Sequence, residues 1–408
     1  MIIGKLFIGS SLIEEIIMET EQLHLVILGG TGFVGSAIMR RIALLPPGSI
    51  EARVLVRSVK GKSLSHFPDV TVIEGSLPDI PPSLFPKERH VVVHLATKQI
   101  DHDRSGYTYN NVLGTRSLLR MLPASTMGLI YASSTSVYGQ GPHEGVREKD
   151  ARLDPKTDLA KSRAAAESAI ISAMSDRRKS AVILRPRFIL GLEDRYTLPA
   201  IIKMVKAGFL IGSGQQAYSV IDVDDYAEII VRLARRIAAS DGTSDGGSDG
   251  GICSVSTYSR SGGRCSVNYV GWTKQIPAIA GICVSTDSVS AYNRAGHLLC
   301  TPFHVGYQQP LSLSVIVNSI CETLNIAHPK RTLPAPAWRQ IARLLRLLPL
   351  DRAVSLSTRL ELIGFSHFFD VSALTAEIGP EIMEKDPVQV LSEALKKVKS
   401  LRVKDVAS

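Results

Sequence analysis

Three glycines, Gly29, Gly32 and Gly35, follow the apolar run Leu25-Val26-Ile27-Leu28 at Gly-x-x-Gly-x-x-Gly spacing. That spacing suits a chain that leaves a buried strand, reverses tightly and enters a helix. The chain must reverse sharply, its backbone must approach a pyrophosphate, and the helix must pack close to its sheet. Side chains obstruct all three, so glycine is used. Free N–H groups at the helix start, from Phe33, Val34 and Gly35 onward, then face the phosphates. The chemistry implied is dinucleotide binding. A second cue is Arg57, which ends the apolar strand Ala52–Val56 and has Lys60 and Lys62 close by. Where the second strand meets the adenosine ribose, an acidic residue suits the hydroxyls of NAD and an arginine suits the 2′-phosphate of NADP. Arg57 points to NADP, with NAD the alternative.

The elements that position these groups can be read in order. Apolar runs at 25–28, 52–56, 70–73, 90–96, 128–132 and 181–184 alternate with helical patterns at 34–45, 110–122 and 157–174. Continuous apolar strands separated by helices predict an α/β fold, a doubly wound parallel sheet covered on both faces. The chain has 408 residues, 45% of them hydrophobic, enough for a large core and more than one domain's worth of chain. The net charge is +9. With no long Lys/Arg block and no aromatic-studded basic groove, it suits an enzyme for an anionic cofactor and a small-molecule substrate, not a nucleic-acid binder. Five cysteines without a Cys-x-x-Cys pair predict neither a zinc site nor a disulfide scaffold, and they fit a reducing, cytoplasmic setting. No run reaches the roughly 18 apolar residues of a membrane span.

The order of motifs resembles the extended short-chain dehydrogenase/reductase family, which includes NAD-dependent epimerases and dehydratases. The matching blocks are Gly29–Gly35, His94-Leu95-Ala96, Asn111-Val112-Leu113-Gly114-Thr115, Tyr131–Gly139, Leu184–Gly191 and Val220–Asp225. The Arg185-Pro186-Arg187 block and the stretch Phe365–Ser372 look most like the 3β-hydroxysteroid-dehydrogenase-like branch. The resemblance implies a Rossmann fold with a smaller C-terminal substrate lobe, and hydride transfer at a hydroxyl or ketone of an apolar or polycyclic substrate. Nucleotide-sugar epimerase or dehydratase chemistry is the nearest rival. It also implies cofactor contacts at Leu77, Leu95, Ala96, Thr97, Arg163 and Phe188, and a homodimer is left open because members often pair through two helices per subunit.

The chain departs from that family at its catalytic pair. The family uses a Ser/Thr together with a Tyr-x-x-x-Lys whose phenol exchanges a proton. The lysine lowers the phenol pKa and holds the ribose. Ser134 stands at the serine position, and Asn111 matches the asparagine that helps hold the catalytic helix. Counting back from Glu167, however, Arg163 replaces the lysine and Leu159 the tyrosine. Leucine carries no exchangeable proton, and loss of a positioned acid costs about 10²–10⁴ in rate. Three readings stay open: Tyr138, Ser134 or a water carries the proton, the substrate needs no phenol, or the protein is a cofactor-binding pseudoenzyme.

His94, at a strand end, reads as a packed histidine, and Asp101-His102-Asp103 as a polar loop over the cleft, with no metal site. The Gly/Ser/Asp-rich stretch after 238 cannot build a core. The expected organisation is an N-terminal extension over 1–22, with Met18 a natural start. A dinucleotide-binding domain follows over 23–237, with 187–222 contributing to the substrate lobe. A low-complexity insertion covers 238–294 and a substrate lobe 295–408. Within the lobe, the family pattern resumes with a strand at His297–Cys300. Trp338–Leu348 is a basic amphipathic helix with Arg339, Arg343 and Arg346 on one face and Ile341, Leu344, Leu345 and Leu348 on another. Such a helix suits a membrane surface, but is read here as packed on the core.

Overall fold

The computed structural model describes residues 22–58, 67–101, 106–191, 193–194, 196–242, 300–347 and 351–407. The N-terminal extension before Gln22, Lys60, Lys62, His102, Asp103, Cys253, Cys265, Cys283, His297 to Leu299, Leu348 and the bulk of the proposed insertion lie outside these residues.

The chain alternates strand and helix from the start: β1 (Leu23–Leu28), α1 (Phe33–Ala43), β2 (Ile50–Val56), β3 (Val70–Glu74) and β4 (His90–His94). A π-helical turn, Thr108–Leu113, then leads into α2 (Gly114–Met121), followed by β5 (Thr126–Ala132), β6 (His143–Val146), α3 (Asp158–Asp176) and β7 (Ser180–Pro186). Six strands of the central sheet stand where continuous apolar runs put them. Alternate residues explain why. Leu25 and Ile27 of β1 enter one core, while Val26 and Leu28 enter the core on the opposite face. A strand buried on both sides must be apolar throughout. Thr157 starts α3 by accepting the Ala160 N–H at 3.2 Å.

The second half of the chain is more broken. It runs through β8 (Phe188–Leu190), α4 (Thr197–Lys206), β9 (Phe209–Ile211), β10 (Ala217–Tyr218), β11 (Val220–Asp222) and α5 (Val223–Gly242). After the undescribed stretch come β12 (Thr301–Val305), β13 (Leu311–Ser312), α6 (Leu313–Leu324), β14 (Arg331–Leu333), α7 (Ala335–Leu347), α8 (Asp351–Gly364), β15 (His367–Phe369), α9 (Ser372–Ile378) and α10 (Pro387–Ala407).

The central sheet has seven parallel strands in the order β12-β7-β5-β4-β1-β2-β3. This corrects two expectations. The strand expected at His297–Cys300 begins instead at Thr301, with Cys300 in a bend before it. That strand joins the central sheet beside β7, so the block 295–408 completes the dinucleotide-binding sheet as well as forming a lobe. Likewise α5 runs to Gly242, past the expected boundary at 237, with Ala238 still packed against the core. A second sheet, β13-β10-β15-β6, and two small ribbons, β8–β11 and β9–β14, form the lobe above the C-terminal ends of the main strands.

Candidate active site

The main sheet reverses its strand order between β1 and β4, and the turns leaving both strands open at that crevice. Ligands of open α/β sheets bind at such a switch point. The turn after β1 is as tight as glycine allows. Gly29 has φ +91°, and a Cβ there would lie 2.9 Å from the Ala96 nitrogen. A Cβ on Gly35 would lie 2.3 Å from the Gly29 oxygen, so the helix start rests on the turn itself. Gly30, which the spacing pattern passes over, is equally required, since its Cβ would meet the Val54 side chain at 2.4 Å. Gly32 differs. Its backbone is ordinary (φ −83°, ψ 178°), and its nearest obstacle is the Gly29 oxygen at 3.2 Å. No side chain caps α1, which leaves the N–H groups around Phe33, Val34 and Gly35 directed at the crevice.

The other candidate cofactor residues fall around this crevice with one outlier. Leu95, Ala96 and Thr97 leave β4 beside the glycine turn, and the Leu95 N–H donates to the Leu28 oxygen at 2.8 Å. Leu77 packs where a Cβ on Gly114 would touch it at 2.8 Å, at the start of α2. Phe188 opens β8, with Arg187 stacked 4.4 Å over its ring. Arg57 is the outlier, exposed beyond β2 with no ion pair among the described residues.

The floor of the crevice is rich in polar atoms short of partners. Tyr226 Oη, Arg163 Nε and His94 Nδ1 are buried without a hydrogen-bond partner, and the buried Tyr131 and Thr97 hydroxyls have only each other. Burial drives the Tyr131 phenol up to about 12, against the pull of the nearby Arg163. Burial also pushes Arg163 down, and Tyr131, Tyr226 and Glu167 support its charge. Orphaned buried polar groups are rare in a folded chain and ask for a partner. A dinucleotide's ribose and amide groups are such partners, so the residues fit the cofactor that the glycine turn implies. Tyr131 and Tyr226 escaped the sequence reading. The one signal was a tyrosine inside an otherwise aliphatic strand block.

His94 is held as a neutral side chain. Burial lowers it to about 4. Thr115 Oγ1 donates to the Asn111 oxygen at 2.6 Å, so it accepts from His94 Nε2, at 2.9 Å. Asn111 is a brace. Its Oδ1 accepts from the Lys98 N–H at 2.7 Å, and its Nδ2 donates to Ser162 Oγ at 2.9 Å. Ser162 in turn donates to the Leu159 oxygen at 2.8 Å, so Asn111 ties the start of α3 to the loop after β4. Asp101 pairs with Lys98 at 2.5 Å, and no metal-binding cluster exists among the described residues.

At the catalytic pair the geometry narrows the choices. Leu159 is half-buried in the first turn of α3, and Lys161 turns outward to pair with Asp158 at 3.4 Å. Tyr138 lies in a closed network. Its hydroxyl accepts from Arg185 Nη1 at 2.7 Å and meets His304 Nε2 at 2.7 Å. Arg185 forms a fork on Glu167 at 3.1 and 2.6 Å, and Ser133 Oγ donates to the same carboxylate. Burial opposes the charge on Arg185, but Glu167 outweighs it and holds the guanidinium well above its usual range. Tyr138 is driven up to about 12 by burial, which outweighs Arg185. Its phenol is therefore occupied. Ser134, by contrast, is half-buried, and its Oγ accepts only the Ser136 N–H at 3.2 Å, leaving its proton unassigned.

Residues 25–244 match the model of the NAD dependent epimerase/dehydratase family. Among curated proteins, the chain is 26% identical over 224 residues to the 2-alkyl-3-oxoalkanoate reductase of Stenotrophomonas maltophilia, covering 50% of this chain and 63% of that one. It is 24% identical over 234 residues to the decarboxylating sterol-4-alpha-carboxylate 3-dehydrogenase of Candida albicans, covering 54% and 67%. The chain thus spans slightly less than two thirds of the first of these relatives. Among solved structures, the UDP-glucuronic acid 4-epimerase from Bacillus cereus in complex with NAD aligns with TM-score 0.61 at 14% identity, over 93% of this chain and 99% of that one. The UDP-N-acetylglucosamine 4-epimerase from Methanobrevibacter ruminantium aligns with TM-score 0.60 at 18% identity, over 94% and 100%. At these identities the structures speak for the fold alone. No described helix is long and apolar enough to cross a membrane. With more than half of its residues matched by one family model, the chain belongs to the NAD-dependent epimerase/dehydratase family of enzymes.

Proposed function

We propose that the protein is an NADP(H)-dependent oxidoreductase acting on a hydroxyl or ketone of an apolar, extended or polycyclic substrate. The observation that carries this reading is the crevice floor, where Arg163 and Tyr226 offer unmatched buried polar atoms and the Tyr131 and Thr97 hydroxyls have only each other. When bound, the cofactor gives or takes a hydride. The amides past Leu28 hold its diphosphate, Arg163 with the Tyr131 and Thr97 hydroxyls holds ribose, and Arg57 meets a 2′-phosphate. Ser134, directly or through a water, is the proton carrier, because Leu159 has no proton and Tyr138 is engaged by Arg185 and His304. Relatives named for an oxoalkanoate and for a sterol carboxylate support an apolar substrate.

A second reading, cofactor binding without turnover, is favoured by Leu159 itself. Fluorescence titration with NADPH and NADH, then incubation of NADPH with a panel of ketones, separates the two. Oxidation of NADPH that disappears in Ser134→Ala supports the first. Tight binding without turnover, with activity appearing in a Leu159→Tyr/Arg163→Lys variant, supports the second. Absence of binding to either nucleotide overturns both.

A further inference from the structure

The α7–α8 hairpin turns only part of its apolar surface inward. Trp338 and Ala342 are buried, with Trp338 edge-on to Phe365 at 4.8 Å, and Ser357 Oγ donates to the Ala342 oxygen at 2.9 Å. The expectation of a helix packed on the core holds for that stripe alone. Ile341, Leu344 and Leu347 are 39%, 64% and 79% exposed, and Leu356 on α8 is 49% exposed. At about 100° per residue, the three on α7 share one arc of roughly 120°. An isolated exposed leucine needs no explanation, but an aligned cluster does.

Along α7 itself the charge has one sign, while α8 carries Asp351 and Glu361. Every charged residue from His328 to Leu347 is basic. Arg343 borders the arc and Arg339 and Arg359 are exposed nearby; none of the three meets a carboxylate among the described residues, although Arg339 lies over the Trp338 and Phe365 rings at 5.6 and 5.2 Å. Arg346 alone is neutralised, by Glu361. Exposed leucines flanked by exposed arginines that have no carboxylate partner among the described residues match a surface that is apolar inside and anionic at its rim. The loop end of α7 also reaches toward the site, since Arg346 Nη2 donates to Gln140 Oε1 at 2.7 Å, just beyond Tyr138.

We infer that the α7–α8 hairpin docks the protein on an anionic phospholipid bilayer. Leu344, Leu347 and Leu356 enter the acyl boundary, and Arg339, Arg343 and Arg359 lie among the headgroups. Docking does not depend on the substrate proposed above, although it would set the crevice beside a reservoir of apolar molecules.

Flotation of the full chain with vesicles tests this, using phosphatidylcholine alone and phosphatidylcholine with about one third phosphatidylserine. Binding to the mixed vesicles should exceed binding to the neutral ones roughly tenfold and fall with salt, as arginines at a charged surface imply. Leu344→Gln/Leu347→Gln should abolish binding, and Arg339→Gln/Arg343→Gln should abolish the preference for phosphatidylserine. Both variants should keep wild-type NADPH affinity, since these side chains are exposed and outside the crevice. Binding to neither vesicle, or binding indifferent to the leucine pair, overturns the inference. A concentration-dependent dimer in light scattering that the leucine variant dissolves also overturns it, because a second copy would then cover the face.

Discussion

Two arginines are buried almost equally, Arg185 at 5% exposure and Arg163 at 6%, yet their surroundings are opposite. Arg185 spends its donors on Glu167 and Tyr138, inside a network that also holds Ser133 and His304. Arg163 has a buried Nε with no acceptor and two buried phenols for company. A buried charge is tolerable when paired and hydrogen-bonded, and costly otherwise. Arg185 is therefore part of what ties α3 and the turn after β5 to the β7–β12 edge of the main sheet. Arg163 is kept at a cost in stability, which is the pattern expected of a group held for a ligand.

The largest effect that would break this contrast is on stability. Arg185→Met leaves Glu167 buried without its counter-charge and should lower unfolding free energy by about 3–5 kcal/mol. Arg163→Met should leave it unchanged or higher, while weakening NADPH binding. Urea unfolding of both variants checks this, and equal losses would erase the distinction. Next is the glycine turn. Gly32→Val fits its own φ and ψ but meets the Gly29 oxygen at 3.2 Å, so the melting temperature should fall only slightly. Nucleotide affinity should fall by roughly 2–3 kcal/mol, about one charge-assisted hydrogen bond, read by fluorescence titration. An unchanged affinity would remove the ligand from Arg163's side of the comparison.

A third effect concerns pH. His304, in the Arg185 network, is lowered to about 3 by burial and by Arg185. In the unfolded chain it titrates near 6.5. The unfolded state therefore binds more protons between those values. The contribution is complete above about 6.5 and lost as pH falls toward about 3, at up to about 1.4 kcal/mol per pH unit. Urea midpoints between pH 7 and 4 should fall less steeply in His304→Gln. His94, lowered to about 4 by burial, adds a similar slope in both proteins. The smallest effect is at Arg57, exposed at the rim. Arg57→Asp should shift preference from NADPH toward NADH by about fivefold, since an exposed pair is worth about 1 kcal/mol.

Much of the crevice was legible in the sequence because its demands are local. Gly29 needs a positive φ, Gly35 needs an absent side chain, and β1 needs apolar residues on both faces; each leaves its mark within a few residues. The loss of the phenol at Leu159 was legible for the same reason, as one residue type at one spacing. Tyr138 was not. It looked available until the fold brought His304, far along the chain, within 2.7 Å of its hydroxyl. The same holds for the orphaned Tyr226, since nothing near it in sequence says which side of the sheet its hydroxyl reaches.

The sequence by itself determined the strand-turn-helix cradle, the alternation that builds the parallel sheet, and the absence of a proton donor at position 159. Periodicity and backbone sterics act between neighbours, so they are written in neighbours. Only the tertiary structure decided that Thr301–Val305 completes the sheet and that Arg185 is neutralised while Arg163 is not. It alone also decided that Leu344 and Leu347 face outward. Those outcomes depend on which distant surfaces meet, and the energy of a buried charge or an exposed leucine is set by that meeting, not by the residue.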